Sequence, residues 1–514
     1  MPYTRTVLEV ASNEPERVAL TDGVRSITYG DLSRSSGAHK AVVDSLLGQL
    51  SPEALSGITF ADEIGDIPVI SISLTHVLDS AELVAVLAGY RTVTSVLDPL
   101  WPIEHRVRSI VRSGAQIVVT DDESLGHALV EGDWPGVIIG LDEYRARLAR
   151  VSEAENREQP PTVRDDEEPF LLIFTSGTTD LPKGFLRTRK SWRYNVRVSE
   201  CWLRAKPAEL TFAPGPLAYS LTLYALVEVL GTGGSIMLQS RFDPLDAARL
   251  LVEKPVTRLV AVPAVLPALA QAAKRDGVQF TRLSDAVIGG ANLSLALRTS
   301  FEEVAPDATV LSYYGAAEIG FIAWSTEGDG ALLEPFDGLS LSVRDENGAE
   351  LPEGELGQLF VRVGSQGDRY ISTTGGALIT GADGWATVND RARLVGGKLL
   401  LEGRAGDIAV TGGHKVSLVQ IERTLEGVPG CERCCVVTQP HRLLGEILVA
   451  VIEATPGQAA PEKARVNAML GELLPPQFVP HRYYLAEDFP RTVGGKIRRV
   501  EVRAELEAGA YTRL

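Results

Sequence analysis

Residues 170–174, FLLIF, form an unbroken apolar run that leads directly into TSGTTDLPKG at 175–184. A run this short and this uniformly apolar fits a strand covered on both faces, as in parallel sheets flanked by helices. A loop of glycines and hydroxyls at the end of such a strand makes a phosphate cradle, in which backbone amides and hydroxyls donate and Lys183 supplies charge. It is not a Walker A loop. Lys183 lies six residues after Gly177 as that motif requires, but Pro182 replaces its glycine and Gly184 the hydroxyl residue that would hold magnesium.

The flanking chain keeps the same rhythm. From 7 to 130, helical periods alternate with apolar strands at 67–74, 92–96 and 116–120, the pattern of a parallel α/β sheet. The stretch 151–168 is charged, holds a proline pair and has no apolar period, so an exposed connection is expected there. The alternation returns at 259–262, 285–290 and 309–314. Between 340 and 363 it gives way to short strands with turns at ENG and PEGELG, and the last hundred or so residues read as a small α+β unit with strands at 434–438 and 447–453.

Of the 514 residues, 45% are hydrophobic and 23% charged, which is globular rather than disordered composition. The net charge of −17 repels nucleic acid and anionic membranes, so neither is an expected partner. The N-terminus lacks the basic, apolar, small-residue order of a signal peptide, and no apolar run reaches membrane-spanning length, which points to the cytoplasm. Cys431, Cys434 and Cys435 invite a zinc reading, but with only His441 nearby they are expected to pack as a buried strand end.

The loop at 175–184 closely resembles the signature of the adenylate-forming (ANL) superfamily of acyl-CoA synthetases, peptide-synthetase adenylation domains and luciferases. The likeness continues in order through LDPLWP (97–102), GGANLS (289–294), YYGAAE (313–318), DGWATVND (383–390), GRAGD (403–407), GGHKVSLVQIE (412–422) and PRTVGGKIRR (490–499). It is nearest to stand-alone acyl-CoA ligases. The resemblance implies a large N-terminal domain (1–403) of stacked α/β subdomains plus a β-rich subdomain. A hinge (404–407) and a small mobile α+β C-terminal domain (408–514) would follow.

It also implies roles. Thr175, Ser176, Gly177, Thr178 and Thr179 would wrap the phosphates with Lys183. Gly289, Gly290, Ala291, Tyr313, Tyr314 and Gly315 would border the nucleotide, the aromatic pair stacking on adenine. Glu318 would ligate Mg²⁺, Asp390 would accept the ribose hydroxyls, and Arg404 would touch the same sugar. Lys496 would swing in to the carboxylate and α-phosphate oxygens, completing a catalytic set with Glu318 and Lys183. Gly412, Gly413, His414 and Lys415 would line a pantetheine tunnel, and Gly406 and Asp407 would form the hinge. Tyr219, Ser220, Leu223 and Gly320 would border the acyl group. The stretch 213–226 carries no aspartate for an α-ammonium group, which favours a non-amino acid substrate.

The implied reaction joins a carboxylic acid to CoA through an acyl-adenylate, with ATP, Mg²⁺ and coenzyme A as cofactors. Only 18 residues follow Lys496, which favours CoA or a free carrier protein over a fused carrier as acceptor. Several positions depart from the pattern. Asp180 replaces a glycine of the phosphate loop, Ala317 a hydroxyl residue, and Val388-Asn389 the Thr-Gly before Asp390; Leu418 and Gln420 replace a Pro and a Glu. Asp180 and Ala317 bear on triphosphate handling alone. A second reading is therefore a thioester-forming enzyme that receives acyl-AMP from a separate adenylating partner, and a third is a non-catalytic nucleotide or acyl-CoA sensor. Monomer and homodimer are both open.

Overall fold

The computed structural model describes residues 3–51, 54, 67–151, 156, 159–175, 183–328, 331–367, 370–371, 377–411, 414–441, 445–454, 460–492 and 496–514. Its first sheet has six strands in the order Val137–Gly140, Ile117–Thr120, Val69–Ser73, Val93–Val96, Pro169–Thr175 and Lys183–Thr188. The first five run parallel, and the last returns antiparallel. Every residue of Val69–Ser73, Val93–Val96 and Ile117–Thr120 is buried, because helices cover both faces.

A second sheet of thirteen strands carries the other half of the large domain. Its centre is parallel, with Leu210–Ala213, Val256–Ala261, Asp285–Ile288 and Thr309–Ala316 side by side. From Thr309–Ala316 onward the pairing is antiparallel, and Leu332–Pro335 hands it to Lys398–Arg404. The β-rich region expected from the turns at 340–363 is thus hydrogen-bonded into the parallel sheet. The helix Ser220–Thr232 sits where the two sheets meet: Tyr224 stacks on Trp192 at 4.2 Å and meets Phe321 edge-on at 5.5 Å. Gly233, at φ +79°, ends that helix in the left-handed conformation glycine favours.

The C-terminal unit folds around its own six-stranded sheet, with Cys434–His441 paired to Gly445–Glu453 along its length. The three cysteines behave as expected: Cys431, Cys434 and Cys435 are buried and unbonded to one another. Burial, with Glu432 beside it, pushes the Cys431 thiol up to about 12, and burial also raises Cys434. Among the described residues no group of three or more His, Cys, Asp or Glu side chains is placed to hold a metal. No helix among them is long and apolar enough to cross a membrane.

Candidate active site

The strand Pro169–Thr175 delivers the phosphate loop, and Lys183–Thr188 takes it back, with Thr175 opposite Lys183 and Phe174 opposite Gly184. Thr175 ends its strand, while Ser176, Gly177, Thr178, Thr179 and Asp180 lie outside the described residues. Gly184 is fixed by crowding: a Cβ there would stand 2.7 Å from Ile371 and 2.9 Å from Phe174. The Lys183 ammonium is 5.3 Å from the centre of the Tyr370 ring, a cation–π distance. The Tyr370 hydroxyl in turn donates to Oε1 of Glu318 at 2.8 Å. The lysine and the glutamate, 135 positions apart in the chain, therefore meet on one aromatic ring.

Glu318 lies in a tight turn between Thr309–Ala316 and Gly320–Ser325, in which Ile319 N–H donates to the Ala316 carbonyl at 2.9 Å. It is 8% exposed. Gly320, at φ +111°, is packed so closely that a Cβ would meet Ser365 Oγ at 2.5 Å and Asn195 Oδ1 at 2.6 Å. Behind the turn lies a residue the motifs did not single out: Arg187 is fully buried and donates to the Ala317 carbonyl at 2.9 Å. Tyr224 donates to the same carbonyl at 3.1 Å. Burial holds the Arg187 guanidinium below its ordinary pKa despite the nearby Tyr224 and Glu318. An arginine in an apolar strand was its only sequence signal.

The nucleotide-side residues fall into two groups. Tyr313 turns inward: its ring lies against Gly289, where a Cβ would come within 2.3 Å, and meets Phe321 edge-on at 5.0 Å. Burial raises its phenol pKa. Neighbouring strand residues face opposite sides, so the expected aromatic pair separates, and Tyr314 is the ring on the other face. Tyr314 donates to Oδ2 of Asp390 at 2.6 Å. Asp390 in turn stands directly opposite Arg404 on the neighbouring antiparallel strand. The Val388-Asn389 substitution is accommodated by Asn389 at φ +65°, with Gln358 donating to its side chain at 2.9 Å. Asparagine is among the residues that tolerate this conformation best, as the glycine expected there would.

Of the residues expected to border the acyl group, Tyr219 and Ser220 are half-buried at the start of the helix Ser220–Thr232, and Leu223 is buried one turn on. Trp101 Nε1 donates to the Tyr219 hydroxyl at 3.3 Å. Burial raises the Tyr219 phenol pKa, and nearby Asp98 adds to the shift. This brings LDPLWP beside 213–226. Through Tyr224 and Phe321 the same helix reaches the strand that begins at Gly320.

The AMP-binding enzyme family matches residues 70–370, more than half of the chain, and its C-terminal domain matches residues 420–496. The chain belongs to the AMP-binding enzyme family. The chain is 27% identical over 514 residues to the uncharacterized acyl-CoA ligase YhfT of Bacillus subtilis (strain 168), covering 99% of each. It is also 27% identical to the fatty acid–[acyl-carrier-protein] ligase ScoC of Streptomyces coeruleorubidus, over 72% of this chain and 73% of that one. Among solved structures, ATP-bound MatB from Rhodopseudomonas palustris superposes with a TM-score of 0.83 at 21% identity, covering 98% of this chain and 99% of that one. The protein is an AMP-forming ligase by family.

In this AMP-binding enzyme the C-terminal residues are placed as follows. Lys496 is exposed in a turn closed by two reciprocal bonds, Thr492 N–H to the Lys496 carbonyl at 2.8 Å and Lys496 N–H to Thr492 Oγ1 at 3.1 Å. Gly412 and Gly413 lie outside the described residues, and His414 opens the strand His414–Ser417, with Lys415 next along it. Gly406 sits in the short 3₁₀ turn Ala405–Asp407 with open space around its Cα. Asp407 accepts from Arg499 Nε at 2.8 Å, and Arg499 also bonds Glu422 and the Val436 carbonyl. The segment 405–407, where the resemblance expects a hinge, is thus tied to the helix Arg499–Glu507, three residues past Lys496, and neither Arg499 nor that tie was apparent from the motifs.

Proposed function

We propose that the protein is an acyl-CoA ligase that converts a non-amino carboxylic acid, ATP and CoA into acyl-CoA, AMP and pyrophosphate through an acyl-adenylate. The observation that carries this is that Lys183 and Glu318 meet on the Tyr370 ring, the ammonium 5.3 Å from its centre and the carboxylate bonded to its hydroxyl at 2.8 Å, and the Tyr314–Asp390 bond supports Asp390 as the ribose acceptor. The acyl-CoA ligase relative of near-equal length supports CoA as acceptor, and the carrier-protein ligase keeps a free carrier protein as the competing acceptor. Magnesium fits Glu318: a Mg²⁺ ion is characteristically held by one or two carboxylates plus substrate phosphates, and a single well-ordered glutamate is such a donor. When bound, the ion would neutralise phosphate charge.

The chain's own groups then act in order. Tyr314 and Asp390 hold adenine and ribose, which sets the α-phosphate against the acyl end of Ser220–Thr232. Lys183 supplies positive charge toward the phosphates. Lys496, carried on the small domain, supplies it where the attacking carboxylate and α-phosphate share developing charge. After pyrophosphate leaves, rotation about 404–407 would bring 412–415 to the site for the thiol. Incubating the protein with a carboxylic acid panel, ATP, Mg²⁺ and CoA, followed by mass spectrometry for acyl-AMP and acyl-CoA separately, tests this. Both products with one class of acid support it, and neither product with any acid refutes it.

Asp180 and Ala317 favour the second reading, a ligase that receives ready-made acyl-AMP. A carboxylate beside the triphosphate disfavours only the first half-reaction, since the β- and γ-phosphates have left before CoA arrives. On that reading Asp180→Gly combined with Ala317→Thr raises acid-dependent pyrophosphate exchange and leaves thioesterification of supplied acyl-AMP unchanged. No gain in exchange would remove its support.

A further inference from the structure

We propose that Tyr370 is a positioning residue that orients the phosphate lysine and the metal-type carboxylate together; this rests on the reading of Lys183 and Glu318 given above. Tyr370 lies outside every motif that marks the chain. Its backbone is nevertheless stitched to the residues that leave the phosphate loop: Tyr370 bridges Phe185 in antiparallel register, and Ile371 N–H donates to the Gly184 carbonyl at 2.7 Å. Its own N–H donates to the Ala377 carbonyl at 3.0 Å. The ring stands edge-on to Phe185 at 6.3 Å and 90°, which fixes the plane.

From that fixed ring two contacts reach the site. The face receives the Lys183 ammonium at 5.3 Å, and the hydroxyl donates to Glu318 Oε1 at 2.8 Å. Opposite charges at one place draw each other, and a lysine drawn onto a glutamate presents less charge to phosphate and fewer lone pairs to a cation. The ring gives the ammonium an aromatic face, and the hydroxyl gives the carboxylate a donor. A hydrogen bond to one carboxylate oxygen also fixes the rotation of the group, and so the direction of its remaining lone pairs. Glu318, at 8% exposure, has little water to do this instead.

The two contacts separate by substitution. Tyr370→Phe keeps the ring, its packing on Phe185 and the lysine contact, and removes the bond to Glu318. The expected result is a roughly tenfold rise in the Mg²⁺ concentration that half-saturates acid-dependent pyrophosphate exchange, with transfer of supplied acyl-AMP to CoA unchanged. Mn²⁺ titration of the enzyme–ATP complex, read by electron paramagnetic resonance, is expected to show the same loss of metal affinity. Tyr370→Leu is expected to add a weakening of about threefold in ATP binding measured without metal, because the ammonium loses its ring. Unchanged Mg²⁺ half-saturation and Mn²⁺ affinity in Tyr370→Phe would overturn the proposal. So would an equal loss in both half-reactions with normal metal affinity, the mark of a purely structural tyrosine. If the wild-type enzyme exchanges pyrophosphate with no acid, the functional reading fails, and the Mn²⁺ titration still decides the role of Tyr370.

Discussion

Gly320 and Gly406 show how differently two glycines are constrained. At Gly320 the backbone is at φ +111° and a Cβ would press on Ser365 and Asn195 within 2.6 Å. At Gly406 nothing lies within 4 Å of a built Cβ, and its φ is not positive. Gly320→Ala is therefore expected to cost roughly 1–3 kcal/mol in urea unfolding, and Gly406→Ala to stay within about 0.5 kcal/mol. Equal losses would contradict the packing described. Lys496 makes a different prediction, because on the proposed function its charge acts on the developing adenylate rather than on the fold. Lys496→Ala should sharply lower acyl-AMP formation and largely spare thioesterification of supplied acyl-AMP, measured as separate half-reactions; parallel losses would refute its role.

At the scale of elements, the turn before Asp390 carries the clearest test. Asn389 holds φ +65°, so Asn389→Gly should leave stability nearly unchanged, while Asn389→Val should lose about 1–2 kcal/mol and weaken AMP binding through the displaced carboxylate. Calorimetric titration with AMP on both variants checks it. Much of this was legible in the sequence. The strand that leads into 175–184, the parallel strands ahead of it and the strand that runs into YYGAAE follow from apolar runs bounded by turn residues, and they lie where periodicity put them. What periodicity does not carry is pairing between distant segments. Leu332–Pro335 joins two kinds of sheet, Arg187 backs the Ala317 carbonyl, Arg499 ties the hinge, and Tyr370 meets Glu318. Each is a contact across tens or more of residues, made by side chains whose local sequence is unremarkable. Tyr313 and Tyr314, an aromatic doublet in the sequence, make different contacts: Tyr313 packs on Gly289 and Phe321, while Tyr314 bonds Asp390.

Across the whole molecule, the joints between helices and sheets use carboxylates matched to buried arginines. Asp122 caps the helix Glu123–Glu131 and accepts from Arg106 at 2.7 Å, and Arg106 is itself buried. Partial burial of Asp122 is the largest single influence and would raise its pKa, but the Arg106 guanidinium and the Ser124 and Leu125 N–H groups together hold the carboxyl below its ordinary value of 3.8. A carboxyl lowered in the fold stabilises it above the unfolded value, and the stabilisation is lost as pH falls through the folded one. Thermal midpoints should therefore drop on acidification below 3.8, and less steeply in Arg106→Gln than in the wild type; identical slopes would contradict the pairing. The account as a whole stands on adenylate formation at the site built by Lys183, Tyr314, Glu318 and Asp390. The most direct measurement is exchange of labelled pyrophosphate into ATP by the wild-type protein with Mg²⁺ and each acid of the panel, with CoA omitted. The account predicts exchange that appears only when a suitable acid is added and disappears in Asp390→Ala and Glu318→Ala. Exchange that is independent of acid, or that survives in both variants, would contradict it.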